Sequence, residues 1–271
     1  MKPVTFTAEQ VAALKTLQQI WSKERIVLIG ASALGCFLDM RWRQTYDLDL
    51  SISVSFEECA SELARLRDWT PDSRFEQQWI APGGVRIDII PAGSKLLAAG
   101  EIVWPKSGNH MSLVGLRLAF ENNERLQMGD GLELQIANIP VVAVLKMVAF
   151  QDNPNGRARD LSDLAYILEE FLPGDDPRKF DDEVFQLGLA YEETSAYFLG
   201  REIGHLATEL ELAKVNSFLA VLRDESHPTL AQSKMLISAP ASWQKDQRIL
   251  LRMLDVFAQG LRFGGTGGKL R

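Results

Sequence analysis

Residues 26–50 read IVLIGASALGCFLDMRWRQTYDLDL, and few folds accept that order of patterns. The short β-branched apolar run over 26–29 has the composition of a buried strand. Gly30-Ala31-Ser32 interrupts it, residues 32–40 read as a helix, and Arg43-Gln44-Thr45-Tyr46 reads as a loop. The chain returns as a strand over 47–54, with Asp47 and Asp49 near its start. Residues i and i+2 of a strand share a face, so the two carboxylates lie together. Like charges so placed repel, which points to a cation as third party. A hard divalent ion fits, because Mg²⁺ commonly takes one or two protein carboxylates together with substrate phosphates.

A third acid has a similar setting. Residues 74–80 and 85–90 flank Ala81-Pro82-Gly83-Gly84 and read as a hairpin, whose second strand, VRIDII, carries Asp88 between Ile87 and Ile89. A carboxylate on a buried strand is costly unless it is paired or binds a metal. If this strand lies beside the first acidic one, Asp47, Asp49 and Asp88 meet at one edge of a sheet.

A Gly-x-Ser turn, an Asp-x-Asp strand and a later strand aspartate resemble the DNA polymerase β-like nucleotidyltransferase superfamily. Gly30-Ala31-Ser32-Ala33-Leu34 followed by Arg43-Gln44-Thr45-Tyr46-Asp47-Leu48-Asp49-Leu50 is similar to its AbiEii/AbiGii-type toxin branch. Lys146 in VLKMVAF and Arg159-Asp160 in GRARDLSDLAYIL are similar to that branch's third and fourth motifs, and Asp163, one helical turn on, is an equal candidate for the fourth-motif acid. The likeness spans roughly residues 20–170. One departure is Ala31, where the branch often has a second glycine; its methyl group tightens the space beside a phosphate.

The resemblance implies a metal-dependent transfer of NMP from an NTP to an acceptor hydroxyl, with release of pyrophosphate. Asp47, Asp49 and Asp88 would be metal ligands for two Mg²⁺ ions, for which Mn²⁺ can substitute. Gly30, Ser32, Arg43, Thr45 and Lys146 would bind the nucleotide. Lys146 and Asp160 would join the three strand acids as catalytic residues. It further implies RNA, with tRNA 3′ ends among the acceptors, and a cognate antitoxin as partner. Protein and small-molecule acceptors belong to other branches. A non-catalytic nucleotide- or partner-binding module on the same fold is the alternative class, since fold does not fix function, and an α/β regulator that binds no nucleotide is a third.

Composition narrows the partners. The 271 residues carry a formal net charge of −7, which argues against extended DNA binding, since phosphate neutralisation needs clustered lysine and arginine. A local basic patch is still available from Arg41, Arg43, Lys146, Arg157, Arg159 and Arg201. No apolar run approaches a membrane span, and the opening residues lack the apolar core of a signal peptide. Cys36 and Cys59 have no zinc-ligand spacing and suggest no disulfide framework. A cytoplasmic location is the expectation.

Along the chain, Thr7 with Gln10 and Ser55 with Glu58 have capping-box spacing and open helices over 7–23 and 55–67. Residues 91–110 give little pattern. Residues 114–120 and 132–137 read as strands, the second after a turn at Gly129-Asp130-Gly131. A helix begins at Pro140 and carries Lys146; another, 159–171, is amphipathic. Beyond Pro173-Gly174-Asp175-Asp176-Pro177 only helices are expected: 180–188, 192–204, 206–223 and 242–261, with Ser226-His227-Pro228 as punctuation. The expected organisation is α/β (α+β): a nucleotidyltransferase-like mixed sheet with flanking helices over 1–172, an all-helical part over 173–263, and a disordered tail over 264–271.

Each candidate also has a structural reading. Gly30 and Ser32 can be a plain strand-to-helix connection with Ser32 as the cap. Asp47 and Asp49 can be a solvated strand face, and Asp88 can pair with Arg86. Lys146 can be a lysine whose stem lies on apolar surface with its charge in water. Asp160 can complement a helix dipole, and Arg43 and Thr45 can shape a loop. The histidines receive no role.

Overall fold

The computed structural model describes residues 6–128, 131–223, 229–244 and 246–265. The expected turn at 129–131, the punctuation at 226–228 and the tail from 266 onward lie wholly or partly outside the described residues. The chain divides into two units, Met1–Val142 and Ala143–Arg271.

In the first unit, α1 (Ala8–Ile20) opens on the expected capping box: the Gln10 N–H donates to the Thr7 hydroxyl at 3.2 Å and the Thr7 N–H to the Gln10 amide oxygen at 2.9 Å. There follow β1 (Ile26–Ile29), α2 (Gly30–Gly35), β2 (Leu48–Ile52) and α3 (Phe56–Leu63). α3 starts from the second expected capping box, at Ser55 and Glu58. Next come β3 (Thr70–Pro71), β4 (Gln78–Ala81), β5 (Val85–Pro91), α4 (Ser94–Ala99), β6 (Glu101–Val103), β7 (His110–Ser112), α5 (Leu116–Glu121), β8 (Asn123–Met128) and β9 (Leu132–Ala137). β6 and β7 form a separate two-stranded sheet.

The other strands form one seven-stranded mixed sheet in the order β3-β4-β5-β2-β1-β9-β8. β2 runs antiparallel to β1 and parallel to β5. Val27, Leu28, Leu48, Leu50, Ile52, Ile87 and Ile89 are buried, so the three central strands are the apolar centre from which the acidic positions depart.

In the first unit α2 and the run at 116–121 depart most from expectation, β4 starts at Gln78 rather than at residue 74, and β8 has no expected counterpart. α2 stops at Gly35 rather than reaching residue 40: the N–H groups of Cys36 and Phe37 turn back to the carbonyls of Ala33 and Leu34, at 3.1 and 2.9 Å, in the tight i→i+3 manner that closes a helix. Residues 116–121 are helix α5, not strand, and bury Leu116, Leu118, Ala119 and Phe120. An apolar run this short has no period that separates a core strand from a core helix.

α6 (Ile139–Asp152) begins in the first unit and continues into the second, which then holds only helices: α7 (Ala158–Glu170), α8 (Asp182–Gln186), α9 (Thr194–Leu206), α10 (Glu209–Leu222), α11 (Leu230–Ile237) and α12 (Gln247–Gly265). α11 has no counterpart among the expected helices, although Thr229 and Gln232 make a capping box there. α12 runs through Gly264, the first residue of the expected tail, and on to Gly265.

Glycine explains the closest contact in this unit. Gly200 and Gly204 of α9 face Gly260 and Gly264 of α12, and a methyl group on any of the four would collide with the opposite backbone, at the carbonyls of Phe257, Leu261, Tyr197 and Arg201 respectively. Without side chains at these crossing points, the two backbones meet directly. Among the described residues no helix is long and apolar enough to cross a membrane.

Candidate functional site

The sheet register brings the strand acids together. Asp49 on β2 is the register partner of Asp88 on β5, and paired residues on neighbouring strands stand on the same face about 4.8 Å apart along the hydrogen-bonding direction. On the far side of β5, Gln78 of β4 is the register partner of Asp88 and donates its side-chain N–H to Asp88 Oδ1 at 2.9 Å. Asp88 therefore accepts a bond from a neutral amide on the neighbouring strand. All three side chains are half-buried, so the row is open to solvent along the face it presents.

On the other side of β2, Asp49 pairs with Ile29 of β1. The residue after it, Gly30, has φ +69° and lies so close under Asp49 that a methyl group there would collide with the carboxylate. Gly30 is thus required twice, for a left-handed backbone and for the room that Asp49 occupies. Ala31 beside it is buried.

Ser32 is buried too, and its hydroxyl donates to the backbone carbonyl of Asp47 at 2.5 Å. The helix cap is instead Ile29, with no side-chain cap bond, so Ser32 ties the glycine turn to the acidic strand rather than capping α2. Asp47 is half-buried and immediately precedes β2; Arg43 and Thr45 are half-buried in the loop that leads to it.

Of the three acids expected to gather, the register sets Asp49 beside Asp88, while Asp47 stands before the start of β2. Among the described residues no three acidic, histidine or cysteine side chains stand close enough together to hold a metal ion. Three carboxylates repel in each other's presence, and a pair suffices where substrate phosphates complete the shell. The donor set, oxygen atoms from two register-matched aspartates with Asp47 two residues before Asp49, fits a hard divalent cation.

The second unit contains a different acidic cluster. Lys146, midway along α6, has 6% of its side chain exposed; its Nζ lies 2.8 Å from Asp160 Oδ1 and 2.7 Å from Asp163 Oδ2, both on α7. The picture of a lysine with its charge in water therefore does not hold. Burial acts against the ammonium, but the charges and hydrogen bonds of Asp160 and Asp163 outweigh it and hold the lysine pKa above its ordinary value. Asp160 does more than complement the dipole of α7, and Asp163 shares its task. The other oxygen of Asp160 is buried without a hydrogen bond and has Arg157 Nε 3.6 Å away. Sequence reading passed over Gln78, whose only signal was its place opposite Asp88 in the hairpin, and it offered Arg157 only for a basic patch, not as a neighbour of Asp160.

With this geometry in hand, comparison with known proteins is informative. The family profile described as "Nucleotidyl transferase AbiEii toxin, Type IV TA system" matches residues 12–248. No curated protein matches the chain. Among solved structures, an antigenic nucleotidyltransferase-like protein from Paracoccidioides brasiliensis is similar at 14% identity and a TM-score of 0.41, over 88% of this chain and 97% of that one. A protein from H. pylori assigned to the nucleotidyltransferases is similar at 14% identity and a TM-score of 0.41, over 98% of this chain and 100% of that one.

Proposed function

The chain belongs to the AbiEii nucleotidyl transferase toxin family and is a nucleotidyltransferase; from that premise we propose that it transfers NMP from an NTP to an acceptor hydroxyl at the Asp49–Asp88 row. The observation that carries this reading is the register match of Asp49 with Asp88 beside a glycine that makes room for the carboxylate. Asp47, Asp49 and Asp88 would hold Mg²⁺, or Mn²⁺ in its place, which supplies Lewis acidity at the triphosphate when bound. Gly30, Ser32, Arg43 and Thr45 would seat the phosphates. Ser32, through its bond to the Asp47 carbonyl, makes the turn and the acidic strand move as one.

In the reaction the acceptor oxygen forms a bond to the α-phosphorus and the bond from that phosphorus to the bridging oxygen breaks. Pyrophosphate leaves with the bond electrons. The hydroxyl proton passes to the Asp88 carboxylate, which must lie within hydrogen-bond reach of it. Lys146, with Asp160 and Asp163, is assigned to the same activity as a set: the two acids keep the lysine charged and fixed. We assign residues 1–172 to the catalytic portion and 173–263 to a helical portion.

RNA, with tRNA 3′ ends first, is the proposed acceptor, and the cytoplasm, where NTPs and tRNA are found, the proposed location. A toxin–antitoxin context supports a cognate antitoxin as functional partner. The test is incubation with each labelled NTP, Mg²⁺ or Mn²⁺ and total cellular RNA, against Asp49→Asn. Transfer that depends on metal and Asp49 is expected. Equal labelling by Asp49→Asn, or NTP binding with no transfer to RNA, protein or small-molecule hydroxyls, overturns the reading. Growth arrest on expression, relieved by a neighbouring gene product, is the expected cellular outcome.

A further inference from the structure

Asp88 and Asp49 are like charges on one face of adjacent strands. Left to themselves, two such carboxylates turn away from each other. A site that must present them together needs something to hold at least one in place without cancelling its charge. A lysine or arginine at that point would neutralise the carboxylate, and an aliphatic residue would contribute no hydrogen bond to it. A neutral amide donor satisfies one lone pair and leaves the charge and the remaining lone pairs of the carboxylate in place.

Gln78 has that chemistry and is built to apply it. Its Nε2 lies 2.9 Å from Asp88 Oδ1, from the register position directly opposite. The backbone behind it is held on both sides. The Gln78 N–H donates to the Phe75 carbonyl at 3.0 Å, its carbonyl accepts the Asp72 N–H at 2.8 Å, and the Gln77 carbonyl accepts the Ile89 N–H at 2.8 Å. The turn is itself braced: the Asp72 carboxylate accepts the N–H groups of Arg74 and Phe75 at 2.7 and 3.1 Å.

We propose that Gln78 is a positioning residue for the transfer reaction: its amide, fixed at the start of β4, sets the orientation of the Asp88 carboxylate toward the cation-binding face it shares with Asp49. This rests on the transfer reading given above. Hydrogen bonds to ligating carboxylates are a general requirement of metal sites, and their loss typically weakens metal affinity or activity about 10–100-fold.

The test uses the full chain with a non-hydrolysable NTP analogue and follows Mn²⁺ binding by electron paramagnetic resonance, with turnover measured separately as a function of Mg²⁺. Gln78→Leu, similar in size but lacking the donor, is expected to weaken Mn²⁺ binding about 10–100-fold and to lower kcat, with the KM for NTP at saturating metal unchanged and the melting temperature that of the parent. Gln78→His, which keeps a ring N–H, is expected to recover most of the Mn²⁺ affinity. Parent-like Mn²⁺ affinity in folded Gln78→Leu overturns the proposal. So does a folded Gln78→His that binds no better than Gln78→Leu. If Gln78→Leu does not fold, Gln78→Ala, which also lacks the donor, takes its place on the same terms. Asp49→Asn separates the two levels: if it binds Mn²⁺ as the parent does, the transfer reading falls; if it loses Mn²⁺ while Gln78→Leu keeps it, only the role of Gln78 falls.

Discussion

Each unit of the protein sets two aspartates close together, and the surroundings of the two pairs are opposite. Asp49 and Asp88 stand on adjacent strands, half-buried, with a neutral amide donating to Asp88. Asp160 and Asp163 stand one turn apart on α7, with 8% and 0% of their side chains exposed, and share the ammonium of Lys146 between them. A closed pair must carry its own cation, because an uncompensated charge in the interior costs several kcal/mol, a large share of a domain's stability. A pair open to solvent can exchange what it binds. One cluster is therefore built for permanence and the other for turnover, and substitutions in the two should fail differently.

The largest effect is expected at Lys146. Lys146→Met leaves two carboxylates buried around an apolar side chain and should cost about 3–5 kcal/mol of stability, read as a fall in urea midpoint. Combining it with Asp160→Asn and Asp163→Asn should return much of that loss, because the stranded charges go with the lysine. If the single variant unfolds at the parent midpoint, the closed cluster is not the stability element described here.

Asp49→Asn tests the open pair. It should lower transfer by about 100-fold or more, equivalent to about 2.7 kcal/mol of transition-state stabilisation, while lowering the urea midpoint by less than Lys146→Met does. A drop in stability without loss of transfer would reverse the contrast.

Gly260→Ala separates charge from packing within the second unit. The added methyl group meets the Tyr197 carbonyl, and overpacking of this kind typically costs about 1–3 kcal/mol. Because no acid is touched, the loss should be the same at every pH where the parent is folded; a loss that varies with pH would tie the α9–α12 contact to the charged cluster.

The smallest effect concerns the interior of the sheet unit. Burial pushes the Cys36 thiol up to about 11 and the Cys59 thiol up to about 12. A raised folded pKa means that the stabilisation is fully present below the unfolded thiol pKa, about 8.5, and is lost as pH rises toward the folded values. Urea midpoints should fall from about pH 9 upward, and the slope should flatten in Cys36→Ala/Cys59→Ala. An unchanged slope would mean that the two thiols are not shielded from water as their burial implies.

Much of the fold was legible because the signals were local. The capping boxes at Thr7 and Ser55, the apolar strands, the hairpin and the helix that starts near Pro140 all sit where the pattern puts them. Meeting of Asp49 with Asp88 could be stated only as a condition, since strand neighbours are a non-local fact; the parallel register of β2 with β5 fulfils it. What could not be read was relational. Lys146 and Asp160 are fourteen positions apart in the chain, so nothing local distinguishes a buried triad from a surface lysine. α5 was lost to the ambiguity of short apolar runs. Glycine near the C-terminus suggested a tail, whereas Gly260 and Gly264 are spaced one helical turn apart to match Gly200 and Gly204.

Those four glycines also bear on the order in which the second unit is assembled. During synthesis a chain folds from its N-terminal side as it emerges, so α9 is made well before the helix that fits it. Until α12 arrives, the notch on α9 has no surface that matches it, since side chains of ordinary size cannot enter. The close packing of this helix pair therefore cannot form until both helices have left the ribosome, so the last-made helix completes the contact.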